Sequence, residues 1–220
     1  MDLLEERKTR AGKMVRVLKK LYPVVKSELD YETEFQFLVA VVLSAQCTDK
    51  RVNIVTKEIF KKYRTAKDFA ETDPAVFAKE IGSIPFFNNK TKAIIGAAKI
   101  VAEKFGGRVP KTEKELVQLP GVGYKTAHVI LGDLFQIWEG IPTDTHVKRF
   151  ALKLNLTKNK DLKKISHDLE ELIPKKDWKY VNNGLVLYGR YICKAHPHDC
   201  TEHPLTKLYP AAANIWPKTT

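Results

Sequence analysis

Apolar residues fall at helical spacing along almost the whole chain, and this pattern most narrows what the chain can fold into. Met14, Val17, Leu18 and Leu21 form one such stripe, and Ile94, Ile95, Ala98 and Val101 form another. Two more follow, at Val147, Phe150, Ala151 and Leu154, and at Leu162, Ile165, Leu169 and Leu172. Helix-start signals precede several helical stretches. Thr33-Glu34-Phe35-Gln36 and Thr112-Glu113-Lys114-Glu115 read as capping boxes, and Asp73-Pro74 as an N-cap followed by a first-turn proline. Alternating strand patterns bounded by Asn-Gly or Asp-Gly turns are absent. Connections are short and marked by glycine and proline, as from Phe105 to Pro110. The expected fold is all-α, with about ten helices, and no break in composition marks a domain boundary.

At 44% hydrophobic residues the chain can bury a core. Its longest apolar run, Phe37 to Leu43, is far short of the ~20 residues that span a bilayer, so no membrane association is expected. The charged opening MDLLEERKTR does not resemble a signal peptide, and three cysteines in 220 residues do not make a disulfide scaffold. A cytoplasmic protein is the expectation. Lys and Arg total 38 against 26 Asp and Glu, a net charge of +12. That excess suits a polyanion, because neutralising phosphates releases counterions. A merely solubilising basic surface is the plain alternative.

The segment from Leu116 to Phe150 says most about function. Leu119-Pro120-Gly121-Val122-Gly123-Tyr124-Lys125 lies between two helical stretches. Proline and two glycines cannot sit cheaply inside a helix, so they predict a tight hairpin. Glycines let backbone approach another surface, and the amides of Gly121, Val122 and Gly123 at a helix start would bind an anion such as a nucleic-acid phosphate. Lys125 falls in the first turn of the second helix, where the helix dipole disfavours an ammonium. An amine so placed can attack carbon and form a Schiff base. Nineteen residues on comes Asp144, in Thr143-Asp144-Thr145-His146. One helix of roughly residues 124–135 and a return loop would bring it back beside Lys125, where a carboxylate can handle a proton or stabilise a cationic transition state. Taken singly, Lys125 reads as a solvent-exposed or phosphate-binding lysine and Asp144 as an N-cap; their spacing, with the hairpin, favours chemistry.

LPGVGYKTAHVIL followed by PTDTHVKRF resembles the helix-hairpin-helix DNA glycosylase superfamily. Val42-Leu43-Ser44-Ala45-Gln46-Cys47-Thr48-Asp49 is similar to a further mark of its endonuclease III branch. The likeness runs from about residue 13 to residue 193. It implies a two-lobed helical fold with the active site in the cleft between lobes: a six-helix barrel domain over 27–137 carrying the hairpin, and a discontinuous domain of 1–26 and 138–220. It also implies that Lys125 is the lyase nucleophile and Asp144 the catalytic carboxylate. Gln46 would fill the gap left by an extruded base, and Phe86 would wedge into the stack opposite the lesion. The plain alternatives are a helix-capping amide for Gln46 and a core aromatic for Phe86. Pro120, Gly121, Val122, Gly123, Tyr124 and His146 complete the DNA-binding set.

The implied activity is a bifunctional glycosylase and abasic-site lyase that removes oxidised pyrimidines such as thymine glycol from duplex DNA, as a monomer. Lys125 argues against the adenine-mismatch branch, which usually has another residue there, whereas the thymine-mismatch branch commonly has tyrosine; here Tyr124 precedes the lysine. His128 stands where many relatives have asparagine. A mismatch-specific or monofunctional glycosylase, or a non-catalytic DNA-binding module, are the competing readings. Most endonuclease III relatives carry a [4Fe–4S] cluster on four cysteines. Laid on this chain, that register gives Cys193, Cys200, His203 and Tyr209, so no iron–sulfur cluster is expected. Packing of Leu205, Leu208, Tyr209 and Trp216 would hold the region instead. Cys193, His196, His198, Cys200 and His203 lie within eleven residues, which makes zinc, on Cys193, Cys200 and His203, the lesser alternative.

Overall fold

The computed structural model describes residues 3–213 and 215–216. Among these the regular structure is entirely helical: α1 (Leu3–Leu21), α2 (Glu34–Ser44), α3 (Asp49–Lys62), α4 (Ala66–Glu71), α5 (Pro74–Glu80), α6 (Phe87–Lys104), α7 (Glu113–Leu116), α8 (Tyr124–Phe135), α9 (Thr145–Lys153), α10 (Leu162–Leu172), α11 (Trp178–Tyr191) and α12 (Pro204–Leu208). Twelve α-helices exceed the ten expected because α4, α5, α7 and α12 are too short to show a hydrophobic period. Among the described residues no helix is long and apolar enough to cross a membrane. The chain divides into two compact units, Ser27–Ile137 and Met1–Lys26 with Trp138–Thr220.

The Ser27–Ile137 unit is built around α2. Its residues Phe35 to Leu43 are all buried, as an all-round apolar helix requires. The one polar group among them, the Gln36 amide, is fully bonded. Its Oε1 accepts from the Glu32 and Thr33 amides, and its Nε2 donates to the Phe60 and Tyr63 carbonyls at the end of α3. The predicted capping box at Thr33 forms. At Thr112 only half of it does: the hydroxyl accepts from the Glu115 amide, and then donates to the Glu115 carboxylate rather than leaving it to reach back. Asp73 caps α5 with Pro74 in its first turn, as read. Phe35, Phe60, Tyr63, Phe69 and Phe77 pack ring against ring beneath.

The other unit packs α1 against α10, α11 and α12, and α9 against α10 and α11. Met14, Leu18, Val147, Phe150, Leu169, Leu185 and Tyr188 are its buried centre. Phe150 and Tyr188 meet edge to face at 5.3 Å. The Tyr188 hydroxyl accepts from the Leu205 amide, which ties α11 to the start of α12.

Candidate active site

The hairpin between α7 and α8 is fitted to the helices beneath it. Gly121 adopts φ +80°, and a Cβ there would lie 2.9 Å from the Ala93 Cβ of α6 and 3.4 Å from a Val42 methyl of α2. Pro120 rests on Gly96, where an added Cβ would meet its Cγ at 3.2 Å. Val122 is buried, and its amide closes the turn onto the Leu119 carbonyl. Gly123 then starts α8 with no side-chain cap and open space around its Cα, so the helix start presents backbone amides outward. Lys125 is exposed at the second position of that helix.

His128, one turn on, is buried. Its Nε2 is 2.8 Å from Glu113 Oε2 on α7, and its ring lies 4.3 Å from that of Tyr124. His128 is thus a strut between the two helices of the hairpin, and its partner Glu113 was read in the sequence only as part of a capping box. Tyr124 is half-buried against it.

Gln46 and Phe86 occupy backbone conformations that side chains rarely adopt. Among the described residues, four that are not glycine have positive φ. Two of them, Gln136 and Asn155, follow the ends of α8 and α9, an ordinary place for a left-handed residue. Gln46 is the third residue of a turn closed by the Cys47 amide on the Ser44 carbonyl (3.0 Å), at φ 55° after Ala45 at φ −58°, ψ 117°. Those angles define a type II turn, which favours glycine at that place. Phe86 precedes α6 at φ 59°, and the residue is 60% exposed, which excludes the core-aromatic reading.

One side chain that the sequence reading passed over links both. Lys90 of α6 is buried, and its Nζ donates to the Leu43 carbonyl at 2.8 Å and the Ala45 carbonyl at 2.6 Å, while its own amide donates to the Phe86 carbonyl at 3.1 Å. Burial pushes its ammonium below the ordinary lysine range. The sequence did hold a signal: a lysine four residues before Ile94, on the apolar stripe of α6.

In the other unit Asp144 is the N-cap of α9. Its Oδ1 accepts from the His146 and Val147 amides at 2.9 and 3.0 Å. The segment before it is tied down by the Ile141 amide on Glu170, the Ser166 hydroxyl on the Ile141 carbonyl and the Asn182 amide on the Pro142 carbonyl. His146 lies on the first turn of α9, 3.5 Å through Nδ1 from the guanidinium of Arg149. Arg149 is buried, which holds its guanidinium below the usual range, and it donates to the Cys193 and Lys194 carbonyls. Gly189 makes room for both, since a Cβ there would lie 2.3 Å from His146 Nδ1.

The [4Fe–4S] cluster that the resemblance implies does not fit this donor set. Cys200 Sγ accepts from the buried Lys153 ammonium at 3.2 Å, and Tyr209, in the fourth position of that register, lies under the Arg10 guanidinium at 4.0 Å. Two thiols remain where four are needed. Leu205 is buried, and Leu208, Tyr209 and Trp216 pack against the same core. Cys193, His198 and His203 nevertheless form a group that could hold a metal ion, their ligand atoms within 4.8 Å of one another. This set has His198 where the zinc alternative had Cys200. Cys47 is half-buried against the core of its unit.

The model for the HhH-GPD superfamily of base excision DNA repair proteins matches residues 39–175, and the chain belongs to that superfamily. Within it the chain is similar to endonuclease III. It is 44% identical over 95% of its length to the Synechocystis sp. enzyme, covering 95% of that protein, and 40% identical to that of Bacillus subtilis, with 86% of each chain covered. Two solved structures, described as a non-covalent endonuclease III–DNA complex and as a trapped endonuclease III–DNA covalent intermediate, each match with a TM-score of 0.87 at 35% identity. Each match covers 93% of this chain and 96% of the other. A thermostable thymine-DNA glycosylase at 22% identity, TM-score 0.74, covering 93% of this chain and 95% of its own, shares the fold.

Proposed function

We propose that this protein is a bifunctional DNA glycosylase and abasic-site lyase that excises oxidised pyrimidines, thymine glycol among them, from duplex DNA. The observation that carries the reading is Lys125, exposed on the first turn of α8 directly after a glycine hairpin that leaves the helix start without a side-chain cap. Likeness to endonuclease III, of which a covalent DNA intermediate has been trapped, supports it.

In the proposed reaction the amides of Gly121, Val122 and Gly123 hold the DNA backbone, with Pro120, Tyr124 and His146 completing the contact. The damaged nucleotide leaves the stack, Gln46 fills its place, and Phe86 wedges between the bases opposite. The rare backbone angles of both residues, and the exposure of Phe86, cost stability and favour this use over a structural one. Lys125 Nζ attacks C1′ as the glycosidic bond breaks and the base departs with a proton. Asp144 takes the lysine's proton or offsets the positive charge developing on the sugar. The sugar ring opens to an imine. Loss of a C2′ proton then expels the 3′ phosphate, nicking the strand, and water releases the lysine.

The proposed domains are the six-helix barrel domain of the resemblance over 27–137, where seven helices, α2 to α8, lie, and a discontinuous partner domain of 1–26 and 138–220. The protein acts as a cytoplasmic monomer on the nucleoid, without a [4Fe–4S] cluster. Lys125→Gln should bind damaged duplex DNA within about twofold of the parent yet lose excision and nicking by roughly 10³-fold or more. Nicking retained in that variant would overturn the role of Lys125.

A further inference from the structure

The connection between α11 and α12 holds a second site. Cys193 is buried at its start, His198 and His203 are half-buried further along, and one ligand atom from each lies within 4.8 Å of the other two. Two ring nitrogens there, His198 Nε2 and His203 Nδ1, are buried and have no hydrogen-bond partner among the described residues. Burying an unpartnered polar atom is costly, and one region rarely holds two without a ligand to satisfy them.

The protonation of His198 is set by its surroundings. Its Nδ1 lies 2.8 Å from the His196 carbonyl oxygen, which can only accept, so Nδ1 carries the hydrogen. Nε2 then presents a lone pair. A backbone carbonyl holding one imidazole nitrogen while the other binds metal is the usual outer support of a histidine ligand.

We propose that Cys193 Sγ, His198 Nε2 and the ring of His203 bind one zinc ion, with water as its fourth ligand. Zinc favours mixed nitrogen and sulfur donors in a tetrahedron, with bonds of about 2.0–2.3 Å and ligands about 3.3–3.8 Å apart. Closing a 4.8 Å spread to that size takes roughly an ångström of side-chain movement. Harder cations such as magnesium or calcium prefer oxygen donors. Cys200 Sγ already accepts from Lys153, whereas the ligand atoms that converge are those of Cys193, His198 and His203, so the site is built on the two histidines rather than on both cysteines. The ion would staple the α11–α12 connection, where relatives use an iron–sulfur cluster.

This inference stands apart from the glycosylase reading and is tested by metal content, not activity. The full-length protein, purified without a histidine tag, should carry about one zinc per chain, with iron and acid-labile sulfide below about a tenth of that. Chelator-stripped protein titrated with cobalt(II) chloride should show the intense visible bands of tetrahedral cobalt and a near-ultraviolet thiolate charge-transfer band. His198→Ala and His203→Ala should each weaken zinc binding by at least about tenfold, with the helical circular dichroism unchanged. His196→Ala, which keeps the carbonyl that orients His198, should bind as the parent does. No uptake of zinc or cobalt by folded protein, zinc undiminished in the His198→Ala/His203→Ala double variant, or iron and sulfide at cluster stoichiometry would each overturn it.

Discussion

At Gly121 two demands coincide: a left-handed backbone and no space for a side chain. Gly121→Ala would force the Cβ against Ala93, 2.9 Å away, while holding alanine at φ +80°. Left-handed strain of about 1–2 kcal/mol and overpacking of about 1–3 kcal/mol give an expected loss of roughly 2–4 kcal/mol in urea unfolding. A change under about 0.5 kcal/mol would mean that the hairpin is not seated on α6 as described. That glycine was legible in the sequence, because proline and paired glycines announce a turn; the neighbour that demands it was not, since Ala93 lies far away along the chain. Asp144 shows a different limit. The sequence offered N-cap or catalytic carboxylate as alternatives, and the structure shows that the cap is made through Oδ1. The capping bonds orient the carboxylate, so the cap and the proposed chemical role are compatible.

Lys90 acts at the level of elements, since it joins α6 to the end of α2. Its side chain holds the carbonyl that precedes Gln46, and its amide holds the carbonyl of Phe86. Lys90→Met keeps the apolar stem and removes both side-chain hydrogen bonds, leaving the Leu43 carbonyl without its donor. We expect the midpoint of thermal unfolding to fall by several degrees, about 1–3 kcal/mol, and excision to slow about tenfold. If Lys90 works by positioning Gln46, then Gln46→Ala in the Lys90→Met background should add little further loss, where independent roles would multiply. Full additivity would reduce Lys90 to a structural lysine. Long amphipathic helices were legible from their period, and α8 forms over the range its pattern indicated. The four short helices were not, for a helix of four to seven residues turns less than twice and shows no stripe. The His128–Glu113 strut was hidden for a related reason: Glu113 had already been assigned to a cap.

At the scale of the whole molecule, an all-helical fold and a partner of opposite charge were both legible, from periodicity and from a net charge of +12. Family membership was read from three separated motifs, at 42–49, 119–131 and 142–150, and the superfamily match over 39–175 lies within the stretch of likeness from about 13 to 193. Metal binding was less legible. Five cysteines and histidines in eleven residues allowed several donor sets, and only the folded loop separates His198, with its oriented ring, from Cys200, which faces Lys153. The central claim is that an amine on this chain becomes covalently joined to DNA. It is tested most directly by borohydride trapping on two labelled duplexes, one containing thymine glycol and one an abasic site. A reduced covalent adduct should form on both and vanish in Lys125→Gln. Binding to both duplexes without an adduct on either would contradict the account and leave a DNA-binding protein or a monofunctional glycosylase in its place.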